Sequence, residues 1–278
     1  MSAPKRPHGD LRSATHEASR GQSPGGPRVI VTRPAAQAAG WVERLRARGV
    51  EAIALPLIAI APAADPQALA AAWSALPSRR LVVFVSPNAA ERFFAARPEG
   101  AAWPADVVAA TPGPGTADTL RTLGVPAAGV VEPAAEAAQF DSVSLWCRLQ
   151  SHDWRGASVL IVRGDGGRDW LGDRLVEAGA RVDHLAAYRR RPPAWSAADR
   201  ALIAASQAAP RDHVWLFSSS QAIDHLEQAA GAAGWGASVA VATHERIAAR
   251  ARRAGFATVA EARPSVDAVV ACIQSFGP

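Results

Sequence analysis

SVLIVRGDGGRDWLGDRLVEAGARVDHLAAYRRR, residues Ser158–Arg191, holds an apolar run, a Gly-rich turn, an amphipathic segment and the only tyrosine of the chain. Val159, Leu160, Ile161 and Val162 are continuous, the pattern of a strand covered on both faces. Asp165-Gly166-Gly167 breaks that run. Leu171, Leu175 and Ala178 then recur at helical spacing until Gly179 stops the helix. Val182 to Tyr188 reads as the next strand, which makes the stretch a βαβ unit with parallel strands.

The same order of residues occurs elsewhere. Arg33 corresponds to Arg163, Gly49 to Gly179, Ser86 to Ser219, Ala89 to Ala222 and Gly124 to Gly255, at a nearly constant separation. Strand and helix alternate throughout, which predicts the α/β class with two similar open parallel-sheet domains and flanking helices. Further strands are expected over 28–31, 50–58 (an edge or exit, because Pro56 lies inside), 81–85, 106–111, 214–217, 238–242 and 256–260. Helices are expected over 67–76 and, after a Gly113-Pro114-Gly115-Thr116 turn, over 117–123. Phe140, Val143 and Cys147 read as the apolar stripe of another helix, and Val266, Val269, Val270 and Ile273 as a closing one. Arg189 to Pro193 reads as a basic linker ending in proline.

At 278 residues the chain has room for two domains, and 49% hydrophobic with 20% charged residues is the balance of a soluble globular protein. Cys147 and Cys272, far apart and without metal-ligand spacing, suit a reduced, cytoplasmic setting. No run approaches the roughly 18 apolar residues of a membrane span. Residues 1–27 lack the apolar core of a secretory signal, and their Pro, Gly, Ser and charged content reads as a disordered extension. Without Lys5, Arg6, Arg12, Arg20, Asp10 and Glu17 of the extension, the net charge falls from +5 to +3, too small to argue for nucleic acid, yet a help to a polyanionic small molecule in finding its site.

In open α/β sheets, ligands bind beyond the carboxyl ends of the strands. The turns expected there are Thr32-Arg33-Pro34, Ser86-Pro87-Asn88, Gly113 to Thr116, Arg163 to Arg168, Ser218 to Gln221 and Thr243 to Arg246. Small and hydroxyl residues in such turns leave helix N-terminal amides open to an anion. The same residues also serve simply as helix caps. GPGT and RGDGG resemble fragments of dinucleotide or phosphate loops, but neither completes a nucleotide-binding motif. The histidines show no metal-ligand spacing, and no Gly-x-Ser-x-Gly or Cys/His arrangement argues for a covalent nucleophile. The nine tryptophans, spread singly, read as packing residues. Tyr188 stands where the repeat unit meets the linker and fits either a structural or a catalytic hydrogen-bond donor.

Taken in order, VIVTRP, ALPLI, VVFVSPNA, GPGTADTLRTLG, VLIVRGDGGRDWL, RVDHLAAYRRRPP and FSSSQAI, with the closing helix, resemble the uroporphyrinogen-III synthase family over residues 28 to 275. The resemblance implies a monomeric, cytoplasmic, cofactor-free lyase (a hydro-lyase) of tetrapyrrole biosynthesis, with no metal, nucleic-acid or membrane partner. It would convert hydroxymethylbilane, with possible hand-over from hydroxymethylbilane synthase, to uroporphyrinogen III by loss of water, inversion of ring D and ring closure. It further implies two domains joined by a two-stranded linker: residues 28–57 plus 190–278, and residues 58–189. Linker strands are then expected near Pro56 to Ile60 and Ala187 to Arg191. By the same resemblance, Tyr188 assists departure of the hydroxyl, and Arg33, Ser86, Asn88, Thr116, Arg163, Ser219, Ser220 and Thr243 bind substrate. The chain departs from the family pattern at His244 and Ile247, where a Gly-x-x-Thr turn is common, and at Val85, where a hydroxyl residue is common. Two other readings compete: a two-lobed α/β module that binds a small anion without chemistry, and a nucleotide-sugar transferase. The second would need a complete glycine motif followed by an acidic residue, which the chain lacks.

Overall fold

A computed structural model describes residues 26–167, 169–230 and 234–276. Residues 1–25 of the expected extension, and Arg168, lie outside the described residues. The chain opens with β1 (Arg28–Val31), α1 (Ala35–Arg46) and β2 (Ala52–Ala54), then leaves through β3 (Ala59–Pro62). There follow α2 (Pro66–Ser74), β4 (Leu81–Phe84), α3 (Pro87–Ala95), β5 (Val108–Ala110), α4 (Pro114–Thr122) and β6 (Val130–Val131). Next come α5 (Ser142–Leu149), β7 (Ser158–Gly164), α6 (Trp170–Glu177) and the long strand β8 (Arg181–Arg191). The return leg adds α7 (Ala197–Ala208), β9 (His213–Phe217), α8 (Ser220–Ala230), β10 (Val239–Ala242), α9 (Glu245–Arg253), β11 (Thr258–Glu261) and α10 (Val266–Gln274).

These strands form two sheets. In lobe one the order is β11-β10-β9-β1-β2, all parallel. In lobe two it is β3-β8-β7-β4-β5-β6, parallel except for the antiparallel β3–β8 pair. Side chains of a strand alternate between faces, so a sheet covered twice needs uninterrupted apolar runs. Val29, Val31, Val214 and Leu216 meet α1 and α10 on one face of lobe one, and Ile30, Trp215 and Phe217 meet α8 and α9 on the other. In lobe two, Val82, Phe84, Leu160 and Val162 pack on α2, α3 and α4, while Leu81, Val83, Val159 and Ile161 pack on α5 and α6. Each fully buried aliphatic or Phe side chain contributes about 1.5–3 kcal/mol relative to exposure.

Tryptophans serve this packing. Trp73 stacks on Phe93 with centroids 4.9 Å apart and donates its Nε1–H to the Phe93 carbonyl, and Trp235 stacks on Phe256 at 5.1 Å. Among the described residues no helix is long and apolar enough to cross a membrane.

Several local expectations are corrected. Of the strand expected over 50–58 only β2, Ala52–Ala54, forms; the chain leaves that sheet about Pro56, which has no N–H for a ladder, and β3 begins at Ala59. The helix expected over 67–76 starts at Pro66, capped by Asp65, whose carboxylate accepts from the Gln67 and Ala68 amides. Gly113 to Thr116 is not all turn. Gly113 is the N-cap and Pro114 the first helical residue of α4. The expected stripe of Phe140, Val143 and Cys147 is not the buried face of α5: Phe140 precedes the helix and lines the cleft between the lobes. That helix buries Leu145 and Leu149, while Val143 is 53% exposed and Cys147 is exposed. The linker strand expected over Ala187 to Arg191 is present as the end of β8, paired residue by residue with β3 from Tyr188 to Arg191.

The β3–β8 ladder joins the lobes. Ile60 packs against the cores of both, and the buried His225 donates Nδ1–H to the Leu57 carbonyl at 2.6 Å, which pins the crossing segment onto lobe one.

Candidate active site

The carboxyl ends of both sheets border one cleft of about 630 Å³ between the lobes. Its lining comes from the N-terminal ends of α1, α3, α4, α8 and α10, from Thr243 ahead of α9, and from the linker strands. A helix N-terminus carries unpaired N–H groups and a partial positive charge, so such a cleft favours anions.

Arg33 leaves β1 at the cleft and lies over the Trp41 ring, with its guanidinium carbon 4.3 Å from the centroid. Its Nε is buried without a hydrogen-bond partner, and among the described residues no carboxylate is within ion-pair distance. Burial, and secondarily the neighbouring Arg44, lower its pKa to about 10. Arg44 flanks the same Trp41 ring at 5.4 Å, and Arg48 is paired with Asp267 at 2.6 Å. Arg190 of β8 also lines the cleft, so four arginines face Asp118 and Asp267 there.

Lobe two presents hydroxyls and helix ends. Ser86 Oγ accepts from the Ala89 N–H as the N-cap of α3 and lies 3.0 Å from the phenol oxygen of Tyr188. With one Ser86 lone pair on α3, its hydroxyl proton is free to point at Tyr188, which leaves the phenol proton available to the cleft. Tyr188 is 3% exposed, Thr116 is 4% exposed and Asn88 is 7% exposed. From lobe one, Ser218, Ser219 and Thr243 complete the lining.

Of the residues expected at the site, Arg33, Ser86, Asn88, Thr116, Tyr188, Ser219 and Thr243 are brought together in the cleft. Arg163 and Ser220 are not part of its lining. Arg163 pairs with Asp169 at 3.3 Å, and Ser220 opens α8. Thr32 is buried and donates its hydroxyl to the Leu216 carbonyl at 2.7 Å, a structural role. Gln37, Trp41, Arg44, Arg48 and Arg190 line the cleft without having been singled out in sequence. Positions 33, 37, 41, 44 and 48 follow one another by three or four, the spacing of a single helix face, and that was the available signal.

Beyond the linker the lobes touch once more. His244 at the N-cap of α9 accepts from the Arg246 amide through Nδ1, so its proton sits on Nε2, 3.5 Å from Asp141 Oδ2 at the N-cap of α5. Beside it, the Arg263 guanidinium donates to the Ala135 and Ala137 carbonyls at 3.2 and 3.1 Å.

Fold and cleft together define a two-lobed α/β protein with its cleft at the carboxyl ends of the strands, where open α/β sheets bind ligands. The chain belongs to the uroporphyrinogen-III synthase family: residues 39–271 match the family described as "Uroporphyrinogen-III synthase HemD". The uroporphyrinogen-III synthase of Salmonella typhimurium is 29% identical over 175 residues, covering 63% of this chain and 69% of that protein. Two solved structures share the fold. A mutant uroporphyrinogen III synthase from the extremely thermophilic bacterium Thermus thermophilus matches with a TM-score of 0.55 at 16% identity, over 90% of this chain and 98% of that chain. The uroporphyrinogen-III synthetase of Helicobacter pylori 26695 matches with a TM-score of 0.55 at 14% identity, over 90% and 100% respectively.

Proposed function

We propose that this enzyme converts hydroxymethylbilane to uroporphyrinogen III as a hydro-lyase, and that the cleft between the lobes is where it does so. The observation that carries this reading is the phenol of Tyr188, held 3.0 Å from Ser86 at a cleft rimmed by helix N-termini and unpaired arginine. The substrate has eight carboxylates, for which Arg33, Arg44, Arg190 and the amides at the starts of α3, α4 and α10 are suitable partners. Asn88, Thr116, Ser219 and Thr243 supply further hydrogen bonds.

In the first step the C–O bond of the ring A hydroxymethyl group breaks, pushed by the pyrrole nitrogen lone pair. Tyr188 protonates the departing hydroxide to water, leaving an azafulvenium cation, its pyrrole N–H retained, and a phenolate. The substituted carbon of ring D attacks the azafulvenium carbon to form a spiro intermediate. That intermediate fragments and recloses with ring D inverted, and the proton lost on rearomatisation returns to Tyr188. Uncatalysed closure gives the non-inverted isomer, so the main task of the walls is to hold one conformation. The division into residues 28–57 plus 190–278 and residues 58–189 then lets the β3–β8 ladder act as hinge. The working form is a cytoplasmic monomer, able to receive its unstable substrate from hydroxymethylbilane synthase.

Hydroxymethylbilane generated in situ, followed by oxidation and separation of the type I and type III isomers, tests this. Type III formation that depends on the protein is expected, and Tyr188→Phe should lower kcat about a hundredfold or more with KM little changed. Type I product alone, at the spontaneous rate and with folded protein, would overturn the reading in favour of a non-catalytic binding module.

A further inference from the structure

β7 and β8 pair in register from Ser158 opposite Arg181 to Arg163 opposite Ala186, and there the register slips: Gly164 lies opposite Tyr188. Ala187 is the extra residue of a bulge, which reverses the faces taken by the residues after it. Leu185, Ala187 and Tyr188 all reach the same core cluster, whereas strict alternation would turn Tyr188 to the opposite face.

Gly164 stands against the phenol. It is buried and its φ is not positive, so its backbone would accept any residue. Space is the constraint: a Cβ there would lie 2.9 Å from both Cε2 and Cζ of Tyr188 and 3.2 Å from the phenol oxygen. A rigid, buried ring has nowhere to yield without moving as a whole. The next residue grips the same strand. Asp165 N–H donates to the Tyr188 carbonyl at 2.9 Å, Oδ1 accepts from the Arg190 amide at 2.8 Å, and Oδ2 accepts from the Arg191 guanidinium at 2.8 Å. Gly166, at φ +100, then turns the chain so that its carbonyl meets the Arg190 side chain at 3.3 Å. The polar groups of this phosphate-loop-like turn are thus directed at the strand bearing Tyr188. Partial burial works to raise the Asp165 carboxyl, but the Arg190 N–H and the Arg191 cation outweigh it and hold it below the usual range.

We propose that Gly164 and Asp165 are positioning residues for Tyr188: Gly164 leaves room for the ring, and Asp165 locks the bulged strand in the register that aims the phenol into the cleft. The chemical consequence rests on the synthase reading of Tyr188; the geometric one does not.

Because Tyr188 is the only tyrosine, protein grown with ring-labelled carbon-13 tyrosine has one tyrosine NMR signal, a probe independent of turnover. Gly164→Ala is expected to shift that signal and to lower kcat for type III formation roughly tenfold to a hundredfold, with KM within about twofold. Placed in a Tyr188→Phe background, it should cost little further. Asp165→Ala should act in the same direction, and Asp165→Asn, which keeps the acceptor for the Arg190 amide, should recover part of the loss. Should Gly164→Ala fail to fold, the two Asp165 variants decide the matter. An unmoved tyrosine signal with wild-type kcat, or an equal loss in both backgrounds, would overturn the proposal, as would wild-type behaviour of Asp165→Ala. If the wild type makes no type III isomer, it is the synthase reading that fails, and the tyrosine signal still decides the positioning.

Discussion

On the lobe-one side of the cleft stand Arg33, Arg44 and Arg48, before, within and after α1, the first two against Trp41. Across from them, lobe two presents Ser86, Asn88, Thr116 and the starts of α3 and α4, with Tyr188 rising from the linker. The two lobes share an architecture and a repeating order of residues, yet the lobe-one wall carries the α1 arginines beside Ser218, Ser219 and Thr243, while the lobe-two wall is set mainly with hydrogen-bonding groups. Charge tolerates a mobile partner and draws an anion in; hydroxyls and amides demand exact position. A substrate anchored on the first wall and oriented on the second uses both.

The sharpest way to break this contrast is to remove the unpaired cation. Arg33→Gln should raise KM about tenfold to a hundredfold while leaving kcat nearly unchanged, the loss expected for one charge-assisted carboxylate contact. Because burial disfavours its charged form, the same change should leave Tm equal or higher. A fall in kcat with constant KM would show that the first wall also orients. Smaller effects are expected at Ser86. Ser86→Ala removes the cap of α3 at a cost of about 1 kcal/mol, whereas Ser86→Gly costs a few tenths. Both lose the partner of Tyr188, so both should lower kcat by a similar factor, about tenfold or less. Activity that followed Tm instead would reduce Ser86 to a cap. The smallest effect belongs to the contact where the walls meet. At Asp141, burial favours the neutral acid, but the Ser144 amide and His244 prevail and hold the carboxyl below its usual range. A depressed carboxylate stabilises the fold above its unfolded pKa, and that contribution disappears as pH falls through the folded value. Asp141→Asn should therefore lower Tm slightly near neutrality, with the difference from wild type vanishing as pH falls below about 4, in melts taken across that range.

The buried strands were legible because doubly covered sheets need continuous apolar runs, as at Leu81–Phe84 and Val159–Val162. The strand-end turns were legible because small and hydroxyl residues cluster there, and most of the expected cleft residues came from them. Arg163 misled because a basic residue after a strand looks the same whether it faces a ligand or, as here, Asp169. Val143 and Cys147 misled because a helix of eight residues has too few turns to separate an apolar face from chance. The bulge at Ala187 escaped notice for another reason: alternation counts residues along one strand, and the slip shows only in the pairing of β8 with β7 at Arg163 and Gly164.

The place of β1 in its sheet also bears on how the protein comes into being. Every strand of lobe two lies between Ala59 and Arg191, so that sheet is complete once the middle of the chain has left the ribosome. β1 is made first, yet its partner Val214–Leu216 is made long afterwards, and until then β2 is its only neighbour. The strand that delivers Arg33 must therefore wait, half-paired and apolar, while a whole lobe is synthesised behind it. During that interval lobe one is a template with an open edge.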